Sequence, residues 1–92
     1  MEEITILRSD LLKLRILKYL FDKKDHTPSE LSIILNTNGN TLLRNSKFLE
    51  LLGLIEIDLK KTNGNYYFLK ITSFGYEFYQ KNKEAINKLI EK

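Results

Sequence analysis

From Gly39 to Lys47 the chain carries Gly39, Asn40, Thr41, Arg44, Asn45 and Lys47, a set of small, amide, hydroxyl and basic side chains between leucines. An asparagine amide can pair with adenine through two hydrogen bonds, and a guanidinium can do the same with guanine or hold a phosphate. Lys60, Lys61 and Asn65 form a second group around Asn63–Gly64, where ammonium groups at a loop tip would suit phosphate oxygens. Arg8, Lys13 and Arg15 form a third, looser group near the start of the chain. The chemistry on offer is recognition of a polyanion with readable base edges. Two plainer readings stand beside it: a solvated helix face, and lysines that guard a strand edge against pairing.

Catalytic sets are missing. The chain has no glycine-rich phosphate loop, no nucleophile beside a base and no clustered carboxylates, so an enzyme is not expected. His26 is the lone histidine and has no companion ligands at useful spacing, and no cysteine is present, so neither a metal nor another cofactor is expected. Ten aromatic residues, five tyrosines and five phenylalanines, suggest base stacking at first. In an extended strand, however, Tyr66, Tyr67 and Phe68 would alternate faces, and packing onto helices accounts for them better.

Positioning these groups calls for a string of short elements. Ser9 and Asp10 are candidate caps for a first helix running to about Asp22, apolar around much of its circumference through Leu11, Leu12, Leu14, Ile16, Leu17, Leu20 and Phe21. Thr27-Pro28-Ser29-Glu30 is a capping box with proline at the first helical position, opening a short second helix to about Leu35 whose stripe is Leu31, Ile34 and Leu35. Asn36-Thr37-Asn38-Gly39 is a tight turn, and Asn38 or Asn40 would cap a third helix that ends at Gly53. Ile55 to Leu59 alternates apolar and acidic residues as a strand does; Asn63–Gly64 suits a hairpin turn; Tyr66 to Ile71 is the returning strand. Thr72 would cap a last helix spanning 73–91. Its Phe74, Phe78, Ala85, Ile86, Leu89 and Ile90 need cover, either by folding back on the domain or by pairing with a second copy.

With 92 residues the chain has room for one core, so 1–92 is expected to be a single domain. Its 42% hydrophobic and 29% charged content is globular rather than disordered. No apolar run approaches the roughly 18 residues of a membrane span, and Glu2 and Glu3 stand where a secretion signal would be basic. A cytoplasmic protein without a membrane partner is expected. The net charge of +3 permits a polyanionic partner without requiring one.

Two helices joined by a four-residue turn, followed by a hairpin, resemble the winged helix-turn-helix pattern of bacterial and archaeal regulators. Leu49 to Glu56 is similar to the junction between recognition helix and wing, and Tyr66 to Gln80 to a second wing strand followed by a Thr-x-x-Gly helix start. Most of the chain fits small archaeal winged-helix DNA-binding proteins, including those of archaeal viruses and plasmids. Ser46 departs from the pattern where an apolar core residue is usual, as do Leu43 and Phe48 where polar residues are. The resemblance implies a mainly α, α+β fold of three helices, a two-stranded wing and a C-terminal helix. It also implies a homodimer on double-stranded DNA that regulates transcription, with recognition-helix contacts from Gly39, Asn40, Thr41, Arg44, Asn45 and Lys47. Lys60, Lys61 and Asn65 would supply the wing contacts. Two rivals remain: a winged helix that binds another protein, favoured by the acidic Glu50, Glu56 and Asp58 near the motif, and an architectural DNA-binding protein with little sequence preference.

Overall fold

The computed structural model describes residues 8–21, 26–61 and 65–91. In chain order the elements are α1 (Arg8–Leu20), α2 (Pro28–Ile34), α3 (Gly39–Leu51), β1 (Ile55–Lys61), β2 (Asn65–Ile71) and α4 (Ser73–Ile90). The α+β, mainly helical architecture is the expected one. The first helix starts earlier than its expected caps, so Ser9 and Asp10 lie inside its first turn. There the Asp10 carboxylate meets the positive end of the helix dipole and stands 3.7 Å from Lys13 Nζ. The breadth of apolar surface on α1 is explained by its neighbours, because α3, α4 and β2 all pack against it.

The second helix opens as its capping box requires on one side only. Thr27 Oγ1 accepts from the Glu30 N–H at 3.2 Å, whereas the Glu30 carboxylate lies 3.5 Å from Nδ1 of His26. Leu31 is the fully buried residue of α2; Ile34, expected in the same stripe, is exposed because the helix touches the domain through one narrow side. Asn36 takes a left-handed φ of 53° and turns the chain toward α3, which Asn38 rather than Asn40 caps by accepting from the Thr41 N–H at 2.7 Å. At the other end Gly53, at φ 76°, lets its own N–H reach Glu50 O and the Leu54 N–H reach Leu49 O, the paired bonds of a Schellman turn.

The two strands are antiparallel, in a register that runs from Ile55↔Ile71 to Lys61↔Asn65. The expected Asn63–Gly64 turn and the Asp22–Asp25 stretch lie outside the described residues. Strand alternation puts Ile55, Ile57, Leu69 and Ile71 on the side of the core, and Glu56, Asp58, Phe68 and Lys70 on the other. His26 forms an additional one-residue bridge to Leu69 on the outer edge of β2.

One cluster of buried residues joins the elements: Leu12, Ile16, Leu17 and Leu20 of α1, Leu31 of α2, Leu42 and Leu49 of α3, Ile55 and Leu69 of the hairpin, and Tyr79 and Ile86 of α4. Phe21 stacks on Tyr76 at 4.7 Å and tilts against Tyr79 at 4.4 Å, fastening the end of α1 to α4. The last helix is therefore folded back on the domain. This corrects the expectation for Ile86: at 4% exposure it belongs to the core of its own chain and is not free to meet a second copy.

Candidate nucleic-acid interface

Burial fixes the rotation of α3. Leu42, Asn45, Ser46 and Leu49 face inward, at i, i+3, i+4 and i+7, so the opposite line must point outward. That line is Asn40, Arg44 and Lys47, also at i, i+4 and i+7, and all three side chains are exposed. Gly39 is exposed at the first position of the helix, and Thr41 is half-buried on the flank. Asn45 is the correction within this group. It is 7% exposed and donates its amide to Thr41 O at 2.8 Å, so it braces the helix and cannot present its edge outward.

Ser46 accounts for its unusual position by the same reasoning. Its hydroxyl is fully buried and donates to Leu42 O at 2.8 Å, which satisfies the polar group where an alkyl side chain was expected. Phe48 lies on the flank facing α1, with Lys13 Nζ 4.9 Å from the centre of its ring. Lys13 is consequently engaged by both Asp10 and Phe48, which weakens the case for it as a free phosphate ligand.

Lys60, Lys61 and Asn65 occupy the distal end of the hairpin in the backbone register, Lys60 opposite Tyr66 and Lys61 opposite Asn65. Their side chains, and that of Arg8, lie outside the described residues. Nearer the base the acidic residues have partners: Asp58 holds Lys70 at 3.2 Å, and Glu50 accepts from the Ile57 N–H at 3.1 Å. Glu50 is a residue whose role sequence reasoning missed, having counted it only as a charge unfavourable to a polyanion. One signal was present: an anion in the last turn of a helix sits at the wrong end of the dipole.

The junction of α3, β1 and α4 rests on the Thr-x-x-Gly start of the last helix. Thr72 Oγ1 accepts from the Gly75 N–H at 3.0 Å and donates to Gly53 O at 2.6 Å, while the Thr72 N–H donates to Leu54 O at 3.1 Å. One side of α4, through Gly75, Tyr79 and Ile86, is buried by this arrangement, with Ile90 partly buried against the same core. An adjoining side is left over: Phe74 at 58% exposure, Phe78 and Ala85 are exposed, and Leu89 is half-buried. Among the described residues no helix is long and apolar enough to cross a membrane, and no three histidine or acidic side chains are grouped to hold a metal ion.

The arrangement is similar to known structures. A transcriptional regulator homologue from Pyrococcus horikoshii OT3 superposes with a TM-score of 0.75 at 20% identity, over 91% of this chain and 88% of that one. A MarR family regulator from Neisseria meningitidis gives 0.68 at 18% identity, over 84% of this chain and 54% of that one. A heme sensor protein from Streptococcus agalactiae, in a structure with heme, gives 0.75 at 20%, over 89% of this chain and 57% of that one. This chain thus spans nearly all of the Pyrococcus protein but little more than half of the other two. The sequence has no significant match among curated proteins. The family model described as a winged helix DNA-binding domain matches residues 12–90. Because that match runs over most of the chain, from α1 through α4, the chain belongs to the winged helix DNA-binding domain family.

Proposed function

We propose that the protein is a transcriptional regulator that binds specific sequences in double-stranded DNA as a homodimer. The observation that carries this reading is the exposed line Asn40, Arg44 and Lys47 on α3, which offers an amide, a guanidinium and an ammonium along one side of the second helix of the motif. That helix is the one which such motifs lay in the major groove. Lys60, Lys61 and Asn65 at the end of the wing would meet flanking phosphates, with Gly39 and Thr41 near the entry of the helix. No bond is made or broken; regulation follows from occupancy of a site. The similar structures described as regulators point the same way.

The dimer would use the adjoining side of α4, through Phe74, Phe78, Ala85 and Leu89; Ile90, expected with them, lies across the core-facing stripe and packs against the domain itself. Leu51, 82% exposed on the same outward line of α3, favours the rival reading in which this helix meets another protein. A mobility-shift assay on random and selected duplexes at low and moderate salt separates the readings. A regulator retards both and prefers the selected site by at least tenfold; an architectural protein shows no preference; a protein-binding module retards neither.

A further inference from the structure

Leu69 turns both of its backbone polar groups away from β1. Its N–H donates to His26 O at 2.7 Å, and its C=O accepts from the His26 N–H at 3.2 Å. Its register partner Ile57 must then turn its own polar groups to the opposite edge, as the non-hydrogen-bonded pairs of an antiparallel ladder do. The Ile57 N–H found there is taken by Glu50 Oε2 at 3.1 Å, from the last turn of α3. The hairpin is thus held on both edges at one level, by the residue that precedes the cap of α2 and by the end of α3. Beyond that level the ladder continues through Asp58↔Phe68, Leu59↔Tyr67, Lys60↔Tyr66 and Lys61↔Asn65 to the basic end of the wing.

Glu50 is badly placed for the helix that carries it. Its carboxylate lies at the negative end of the α3 dipole, and that last turn has no basic residue to offset it. A neutral or basic side chain would serve the helix better, so the contact with Ile57 is what this carboxylate adds. We propose that Glu50 is a positioning residue: it fixes the angle between α3 and the wing so that both reach one duplex at the same time. The proposal rests on the DNA-binding reading above. It assigns Glu50 no contact with DNA; its effect runs through the lysines at the far end of the hairpin.

The test is a double-mutant cycle of Glu50→Ala with Lys60→Ala/Lys61→Ala, read as affinity for the selected duplex at fixed salt. Loss of one hydrogen bond predicts that Glu50→Ala binds roughly three- to tenfold more weakly. In the lysine-free background the same change has a clearly smaller effect, because Asn65 is then the one proposed wing contact left to misplace. Glu50→Gln keeps an oxygen acceptor at the same reach and binds within about twofold of the wild type, an outcome that loss of charge alone does not produce. Equal weakening in both backgrounds, or tighter binding by both Glu50 variants, overturns the proposal. Amide hydrogen exchange supplies a second measurement without DNA: Ile57 is protected in the wild type and in Glu50→Gln and loses protection in Glu50→Ala, while Leu69 stays protected. An unprotected Ile57 in the wild type refutes the clamp itself. If the wild type binds no duplex, the regulator reading falls and the role of Glu50 in DNA binding falls with it, yet Ile57 protection still reports whether the clamp is present.

Discussion

A methyl group at Gly75 would collide with the carbonyl oxygen of Leu54 and stand 2.9 Å from Cγ1 of Ile71. The obstacle is backbone, which cannot swing aside, so Gly75→Ala should cost about 3 kcal/mol or more and prevent α4 from docking. Gly53 differs, having nothing within 4 Å but a φ of 76°; Gly53→Ala should cost about 1 to 2 kcal/mol, the strain of a left-handed alanine. Urea unfolding of the two variants checks both the order and the gap. Tyr79 supplies a pH dependence at the same scale. Burial raises its phenol above the ordinary value of 10.0. A group whose folded pKa is raised contributes stability below its unfolded pKa and loses it as pH rises through the folded value. Melting temperatures should therefore fall above about pH 10, and more steeply in the wild type than in Tyr79→Phe.

The last helix illustrates how one element can carry two apolar sides with different fates. Gly75, Tyr79 and Ile86 are taken by the core, while Phe74, Phe78, Ala85 and part of Leu89 remain at the surface. Burying a large side chain is worth about 1.5 to 3 kcal/mol, so the partly exposed Phe74 and Phe78 supply part of what holds a dimer at micromolar concentration, and Ala85 and Leu89 beside them must add to it. Sedimentation should give twice the 10.9 kDa chain mass, and Phe74→Ser/Phe78→Ser should give the monomer with its fold intact. A wild-type monomer at that concentration rejects the pairing. The converse substitution, Ile86→Ser, should unfold the chain rather than separate two copies, because this side chain lies in the core.

For the whole molecule the division of charge sets the expected response to salt. The net charge is only +3, and Asp58 and Lys70 neutralise each other at the base of the wing, so affinity must come from a few placed cations. Replacing Lys60 and Lys61 by alanine should weaken binding to every duplex alike and reduce the slope of log K against log salt by up to about two, one for each phosphate that no longer meets a lysine. Arg44→Ala should instead cost about 1 to 3 kcal/mol on the selected site and much less on scrambled DNA. Salt-titrated affinities on both duplexes decide this. If both variants bind both DNAs as the wild type does, the proposed surface is incorrect.

The order of elements was legible in the chain because its signals are local. Thr27-Pro28, Asn38, Gly53 and Thr72 each act on backbone groups within four residues, and alternation in Ile55 to Leu59 is a property of the strand itself. The family resemblance rests on the same short-range features and their spacing. Rotation and partnership were not legible, since they depend on which distant side chain arrives opposite. Asn45 and Arg44 are neighbours in sequence and equally polar, yet packing of α3 against the rest of the domain buries the first and leaves the second outside. Ile86 and Ala85 part in the same way on α4. Gly75 announced a helix start by its spacing from Thr72, but the Leu54 carbonyl that excludes a side chain lies 21 residues earlier and is brought there only by the fold. Glu50 shows the same dependence, since the amide it accepts from belongs to a strand whose position the helix itself helps to set.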